Sequence, residues 1–259
     1  MSGPRVVPAG RLILDQPPEL VVHDELQPCP YLEDRISRLP LRIPARGLER
    51  QELEQRLSRG DRRQGLFLYR PACPGCVACE PIRLDLLRFE PNRSQRRTLS
   101  RGDRELSVEL GEPLADHERV ALYNRHKSLR GLSAGQGEVD VRSYREFLAM
   151  TCCDTIEIRY RLRGQLVGVA IADRSSDALS AVYCYYDPTY ERLGLGTYSI
   201  LKQLELCSMW GLRYLYLGLY IAESLHMRYK ARFLPHERLL DGVWHEFTQA
   251  TELRREPER

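Results

Sequence analysis

The stretch TIEIRYRLRGQLVGVAIADRSSDALSAVYCYYD, residues 155–187, contains three consecutive strand patterns. Apolar and polar residues alternate over residues 155–162 and 166–173, and Gly164 marks a turn between them. A third run, residues 178–187, follows the turn sequence RSSD. Runs of this kind, separated by short turns, pair antiparallel. The stretch therefore predicts an antiparallel meander.

A helix and further elements follow the meander. The segment ERLGLGTYSILKQLELCSMWG, residues 191–211, carries apolar residues at helical spacing. A buried strand is expected at 213–219, a second helix at 223–232 and a closing strand near 244–247. The order β-β-β-α-β-α-β resembles the core of the GNAT acyltransferase fold. We therefore expect an α+β protein, in which a small N-terminal α+β cysteine-containing domain precedes a GNAT-like acyltransferase domain with a mixed sheet.

The glycine turn before this helix leaves the acyl donor open. In GNAT enzymes such a turn and the following helix N-terminus hold the phosphates of the donor. Gly194 and Gly196 fit that use, but they also fit a tight turn with close helix packing. Glu191 stands where a GNAT acetyltransferase normally has Arg or Gln, and its carboxylate would repel a pyrophosphate. An acetyl-CoA-dependent N-acetyltransferase is therefore the second choice.

Composition indicates an ordinary globular protein. Apolar residues make up 42% of the 259-residue chain, charged residues make up 29%, and the formal net charge is +3. No segment approaches the roughly 18 apolar residues that a membrane span requires, and the N-terminus lacks the apolar region of a signal peptide. The sequence thus predicts a cytoplasmic protein with no membrane partner. Without an export signal, eight cysteines favour reduced thiols, metal ligands or redox groups over disulfides.

Changes in composition suggest three parts. Residues 1–28 are rich in proline and predict a flexible N-terminal segment. We expect residues 29–104 to form a cysteine-rich and basic N-terminal domain and residues 105–250 to form the GNAT-like acyltransferase domain. The run from Arg88 to Arg104 carries six arginines against two acidic residues. Such a run suits an RNA backbone or an anionic substrate, and it is equally typical of a solvated helix face.

Short words along the chain resemble the arginyl-tRNA protein transferase family. They occur in the family's order over roughly residues 29–247. Together they are strong evidence for the family, whereas any one word alone would be weak evidence. The short chain and the C-x-x-C-x-x-C spacing are more similar to the bacterial branch, the aspartate/glutamate leucyltransferases. One departure is Leu219-Tyr220, where an aromatic pair is expected. The words are CPYL (29–32), YRPACPGCVACEPIR (69–83), FEPNRSQRR (89–97), YNRH (123–126), GVAIAD (168–173), ALSAVY (178–183), YLYLG (214–218) and MRYK (227–230).

The resemblance implies an aminoacyltransferase that uses an aminoacyl-tRNA as donor. The acceptor is a protein with an N-terminal Asp or Glu, and the transferred residue is leucine in preference to arginine. The modified protein would then enter N-degron proteolysis. A third hypothesis, beside this one and the acetyltransferase, is an RNA-binding module stabilised by a metal and without catalysis.

Aminolysis of the donor ester requires removal of a proton from the acceptor amine and protonation of the leaving oxygen. We expect Asp173 to position or deprotonate the ammonium, although it could instead cap the RSSD turn. Tyr183 could donate to the developing oxyanion or the leaving oxygen, or belong to the core. His126 has a suitable pKa for a proton shuttle, and a lone helical His is also typical of a structural role.

Several cations are candidates for binding the two substrates. Arg93 and Arg97 lie four residues apart and would share one face of a helix, where they could clamp a carboxylate. Together with Arg125 and Lys230 they are expected to bind the acidic acceptor. Arg96 and Arg101 are expected to bind tRNA. Each of these residues could also be an ordinary surface cation.

Four cysteines could form a metal site. Cys73, Cys76 and Cys79 recur at x-x spacing, and Cys29 precedes them by 44 residues. Four thiolates suit zinc or an iron–sulfur cluster, whereas the short gaps also suit free thiols in a tight knuckle. No cofactor is required for the catalysis itself, because the donor ester is already activated.

Overall fold

Two larger sheets and a two-stranded ribbon organise the chain, whose computed structural model describes residues 10–132 and 137–250. Within these residues no helix is both long and apolar enough to cross a bilayer. The N-terminal elements are β1 Leu12–Ile13, β2 Glu19–His23, β3 Leu26–Pro28, β4 Ile36–Arg38, β5 Leu41–Pro44, α1 Arg50–Ser58, β6 Arg62–Gln64, β7 Phe67–Tyr69, β8 Glu80–Asp85 and α2 Arg93–Glu105.

The remaining elements contain the predicted meander and the helix after it. A π-helix at Arg145–Ala149 continues α4, and 3-10 helices span Pro188–Leu193 and Arg228–Arg232. The labelled elements are β9 Leu106–Gly111, α3 His117–Leu129, α4 Val141–Tyr144, β10 Thr155–Leu162, β11 Gln165–Arg174, β12 Ala178–Tyr186, α5 Leu195–Met209, β13 Tyr214–Tyr220, β14 His236–Leu240 and β15 Val243–Phe247.

The eight-stranded sheet has the order β15-β14-β8-β13-β12-β11-β10-β9. Strands β10, β11 and β12 pair antiparallel as predicted, and β12 pairs parallel with β13 after the α5 crossover. Successive side chains of a strand point to opposite faces. On β12, Tyr186 packs with the α5 core around Tyr198, whereas Tyr185 packs with the α3 core around Tyr123. The α+β class, with a mixed sheet covered by helices, is confirmed.

The first residues are more ordered than their composition suggests. The sequence predicts a flexible segment over residues 1–28, of which residues 1–9 lie outside the described part. Residues 10–28 instead carry β1, β2 and β3. Glu19 on β2 is fully buried and accepts hydrogen bonds from Arg42 (2.8 Å) and Arg56 (2.7 Å). This ion cluster ties the segment to β5 and α1, contacts that a proline-rich composition does not reveal.

The large sheet draws strands from both sides of the predicted domain boundary at residue 104. Strand β8 precedes the boundary, yet it lies between β13 and β14 and pairs antiparallel with both. Strand β9 immediately follows α2 and forms the opposite edge against β10. The cysteine-containing part and the acyltransferase part therefore share one sheet.

The predicted helix over residues 223–232 is replaced by the short 3-10 helix Arg228–Arg232. Its Lys230 is buried, and Nζ donates a hydrogen bond to the carbonyl oxygen of Leu219 at 2.6 Å. This tertiary contact fixes the segment against β13, and it overrides the local helical preference.

Candidate active site

The candidate site lies where β12 and β13 stop pairing. Their parallel register covers only three pairs and ends at Ser180 and Tyr216, although the strands continue to Tyr186 and Tyr220. Residues 181–186 of β12 and 217–220 of β13 do not pair with each other, and we call this part of the sheet the notch. It lies near the α5 N-terminus, because a Cβ atom added at Gly196 would lie 3.5 Å from Cε1 of Tyr186.

Two buried cations meet at Gly218 in the notch. Gly218 has a φ of +84°, and a Cβ atom added there would lie 3.4 Å from Nη2 of Arg62 and 3.5 Å from Nζ of Lys230. Burial and the nearby Arg62 charge lower the pKa of Lys230 to about 7. Arg62 Nη1 has no hydrogen-bond partner within the described residues. We call Arg62 and Lys230 the cation pair.

Two further tyrosines lie near the cation pair and Tyr183. Tyr69 on β7 lies directly across the ladder from Arg62 on β6. Tyr31 is 37% exposed; its partial burial raises the pKa of its phenol, and Tyr69 and Tyr183 add to the increase. Tyr183 is half-buried, and its ring centroid lies 5.6 Å from that of Phe147. The phenol predicted to stabilise the oxyanion thus belongs to an aromatic group at the notch.

Asp173 is paired inside the protein. It is 1% exposed, and its two carboxylate oxygens accept hydrogen bonds from Arg63 Nε at 2.7 Å and Nη2 at 2.8 Å. Thr155 Oγ1 donates a further bond at 2.6 Å. Its predicted role at the acceptor ammonium stays a prediction, and the Arg63 pairing is a contact that the sequence did not indicate.

His126 joins α3 to the end of β12. Its Nδ1 lies 2.8 Å from the carbonyl oxygen of Tyr186 and 3.2 Å from the amide nitrogen of the same residue. Burial lowers the pKa of His126, so the neutral imidazole is favoured. Arg125, one residue earlier, is exposed and forms an ion pair with Asp187 at 3.1 Å. The proton-shuttle role of His126 stays a prediction.

The predicted basic run forms α2. Its exposed face lines an open groove, which we call the basic face. Asn92 caps the helix through a capping box with Gln95. At Gly102 the helix packs so closely on α5 that a Cβ atom would lie 2.2 Å from Tyr198 Cε2. One surface carries Arg93, Arg96, Arg97 and Arg101. Lys230 is not part of it, because it is buried. The basic face consists of Arg93, Arg96, Arg97, Ser100, Arg101 and Arg104.

The four candidate metal ligands come close to one another. Burial raises the pKa of Cys79 to about 12, and repulsion from Cys73, Cys29 and Cys76 adds to the increase. The backbone N–H of Arg38 donates to Cys73 Sγ at 3.4 Å. Within residues 10–132 and 137–250, however, no three His, Cys, Asp or Glu side chains are arranged to hold a metal ion. The thiols have the right chemistry, but their geometry is not that of a formed site.

Similarity to known proteins identifies the family. The chain matches the family model "Arginine-tRNA-protein transferase, N terminus" over residues 27–97 and its C-terminal counterpart over residues 118–240. It is 40% identical over 218 residues to an aspartate/glutamate leucyltransferase of Chromobacterium violaceum, covering 84% of this chain and 89% of that protein. The chain belongs to the arginine-tRNA-protein transferase family. It is therefore an aminoacyltransferase, with an aminoacyl-tRNA as donor and a protein as acceptor.

Further relatives have the same name. A Methylobacillus flagellatus aspartate/glutamate leucyltransferase is 38% identical and covers 83% of this chain and 87% of its own length. Among solved structures, FemX covers 81% of this chain and 79% of its own at 8% identity, with a TM-score of 0.43. That structural likeness is too distant to indicate a reaction. The family match does not favour the acetyl-CoA alternative.

Sequence reasoning missed several residues of the site. Arg62 is one of them. It lies in the short stretch DRRQG, residues 61–65. Consecutive arginines are unusual in a buried strand, so they could have indicated a paired or ligand-binding role. Tyr31 was part of the word CPYL but received no role. Gly218 ends the word YLYLG, where its positive φ favours glycine.

Proposed function

We propose that this transferase moves leucine from leucyl-tRNA onto the N-terminal amine of proteins that begin with Asp or Glu. The observation that carries the proposal is the aspartate/glutamate leucyltransferase name of relatives that align with more than four fifths of the chain. Leucylation would mark the acceptor for N-degron proteolysis, and the reaction would take place in the cytoplasm. Arginine is the less favoured donor.

The chemistry is aminolysis of an activated ester. The acceptor amine attacks the leucyl carbonyl, and the 3′-terminal adenosine of the tRNA leaves as an alcohol. The protein must align the two reactants, remove a proton from the amine and protonate the leaving oxygen. Tyr183 lies at the notch and is the residue we assign to the oxyanion or the leaving oxygen. The proton-handling roles of Asp173 and His126 complete the predicted catalytic set.

The basic face suits the tRNA. Its guanidinium groups are exposed and lie on one helix, so they can contact successive phosphates without being desolvated. Arg96 and Arg101 are assigned to this contact. The N-terminus of α2 also lies close to the segment carrying Lys230, because Gln95 Nε2 donates to the carbonyl oxygen of Arg232 at 3.3 Å. Arg93, Arg97 and Arg125 remain candidates for acceptor binding at the rim, beside Lys230 inside.

A transfer assay tests the proposal. The full chain is incubated separately with labelled leucyl-tRNA, arginyl-tRNA or acetyl-CoA, together with a peptide that begins with Asp. Leucine should be incorporated most rapidly, and a peptide with an acetylated N-terminus should accept nothing because it lacks the attacking amine. Transfer from acetyl-CoA but from neither tRNA would refute the proposal.

The cysteine cluster is a separate proposal. We propose that Cys29, Cys73, Cys76 and Cys79 bind zinc or an iron–sulfur centre, since four thiolates suit either metal and the other three thiols lie near enough to Cys79 to raise its pKa. Elemental analysis of anaerobically purified protein should then find about one site per chain, and Cys76→Ser should lower that content. A content near zero that the substitution leaves unchanged would end the idea.

A further inference from the structure

The cation pair is unusual because neither of its buried cations has an ion-pair partner of its own among the described residues. Arg62 and Lys230 are both at least nine-tenths buried. Buried charges are normally paired, since an isolated one loses its hydration without recovering an equivalent interaction. Within the described residues neither side chain forms an ion pair, and Arg62 Nη1 has no hydrogen-bond partner. The nearby acids, Asp173 and Asp61, are bound to other arginines.

The surrounding chain holds both cations in place. Lys230 Nζ donates to the carbonyl oxygen of Leu219 at 2.6 Å and contacts Met227 Sδ at 3.3 Å. Arg62 lies on β6, which pairs with β7 along its whole length. Gly218 has no side chain, and the position that a Cβ atom would occupy there lies within 3.5 Å of both charged ends. The site is thus organised in advance for an anion that comes from outside.

We propose that Arg62 and Lys230 bind the side-chain carboxylate of the acceptor's N-terminal Asp or Glu. This inference rests on the proposed function and deepens it, since it assigns acceptor selectivity to two residues. A neutral Asn or Gln in the same place would leave two buried charges unpaired. A site built in this way discriminates by the penalty on the wrong side chain as much as by attraction of the right one.

The position favours a carboxylate over a tRNA phosphate. The carboxylate of an N-terminal Asp or Glu lies only a few bonds from the amine that attacks, so its subsite must adjoin the reacting atoms. Gly218, where the cation pair meets, and Tyr183 both belong to the notch, so the subsite adjoins the residue assigned to the oxyanion. The exposed basic face on α2 already offers guanidinium groups that suit the phosphates of the tRNA.

The test measures selectivity. Arg62→Met and Lys230→Met are compared with the wild type on peptides beginning with Asp, Glu, Asn and Gln, at saturating leucyl-tRNA. Each substitution should lower kcat/KM for the acidic peptides by roughly 10- to 100-fold, while the KM for leucyl-tRNA stays unchanged. Arg62→Lys keeps the charge and should retain most of the preference for Asp over Asn. Lys202→Met removes a lysine at the α2–α5 contact, where it pairs with Asp103, and should change neither quantity.

The ratio of rates on Asp and Asn peptides separates selectivity from folding. Both rates come from one preparation, so partial unfolding lowers them equally and leaves the ratio unchanged. Methionine variants that keep the wild-type ratio would overturn the subsite and leave the proposed function standing. A raised KM for leucyl-tRNA with an unchanged ratio would also overturn it, because the cations would then contact the nucleic acid. A wild type that transfers leucine equally to Asp and Asn peptides would overturn both proposals.

Discussion

Asp173 and Arg63 form a buried ion pair at the residue scale. Arg63 also donates from Nη1 to the carbonyl oxygens of Gly65 at 2.9 Å and Met150 at 3.2 Å, so its guanidinium group is almost fully satisfied. The pair joins the β6–β7 hairpin to β11 and to the end of the π-helix. Loss of one partner would leave the other charge buried and unpaired.

We therefore expect Asp173→Asn to lower the free energy of unfolding by about 3 to 5 kcal/mol. The double variant Arg63→Met, Asp173→Leu removes both charges and should recover most of that loss. Urea unfolding of the wild type, Arg63→Met, Asp173→Leu and the double variant measures the coupling. Single and double variants of equal stability would contradict the pairing, and leucine transfer by a stable double variant would exclude Asp173 as a catalytic residue.

Helix α2 is the element whose surface is most distinctive. Its buried side is set by Gly102 against Tyr198 and by the bond from Tyr198 Oη to Asp103 at 3.0 Å. Its outer side is the basic face. Arg96 also donates to the carbonyl oxygen of Pro91, and Arg101 donates to that of Arg192, so two of these cations are held in position without neutralisation.

We expect binding of charged tRNA to weaken steeply with salt, because phosphate contacts release counterions. Replacing Arg96 by Ala should weaken binding and reduce the slope of log affinity against log salt concentration by about 1. Fluorescence anisotropy with labelled tRNA over a salt series measures this. Arg213→Ala is the matched control, since Arg213 is off α2 and pairs with Asp85. An affinity that does not change with salt would show that the basic face does not contact the phosphates of the tRNA and is only a solvated helix surface.

Strand β8 joins the two predicted domains at the scale of the whole molecule. It pairs antiparallel with β13 on one side and with β14 on the other. In the strand order, the β14–β15 hairpin therefore joins the sheet through β8. Its residues Ile82 and Leu84 are fully buried in the core that α5 covers. A fragment that begins after α2 would expose this core surface and lose the attachment of the hairpin.

We therefore expect a fragment of residues 105–250 not to fold cooperatively, whereas the full chain does. Circular dichroism during urea unfolding and the dispersion of amide signals in NMR spectra compare the two. A dispersed spectrum and a sharp transition for the fragment would show that the boundary predicted at residue 104 separates independent domains.

The sequence by itself determined the local architecture and the family. Alternation over residues 155–187 was enough to predict the β10–β12 meander, and helical spacing predicted α5. These signals act between near neighbours, so they survive without tertiary information. The ordered words likewise identified the transferase family that the comparisons show.

Only the tertiary structure decided which distant residues meet. Arg63 and Asp173 are 110 positions apart, and no local pattern indicates their pairing. Arg62 and Lys230 come together because β6 packs beside β12 while the segment after β13 folds back onto Leu219. Periodicity states which face of an element is buried, but not which element covers it. Only the packing of these elements therefore shows that Arg62 and Lys230 are the two cations that meet at Gly218.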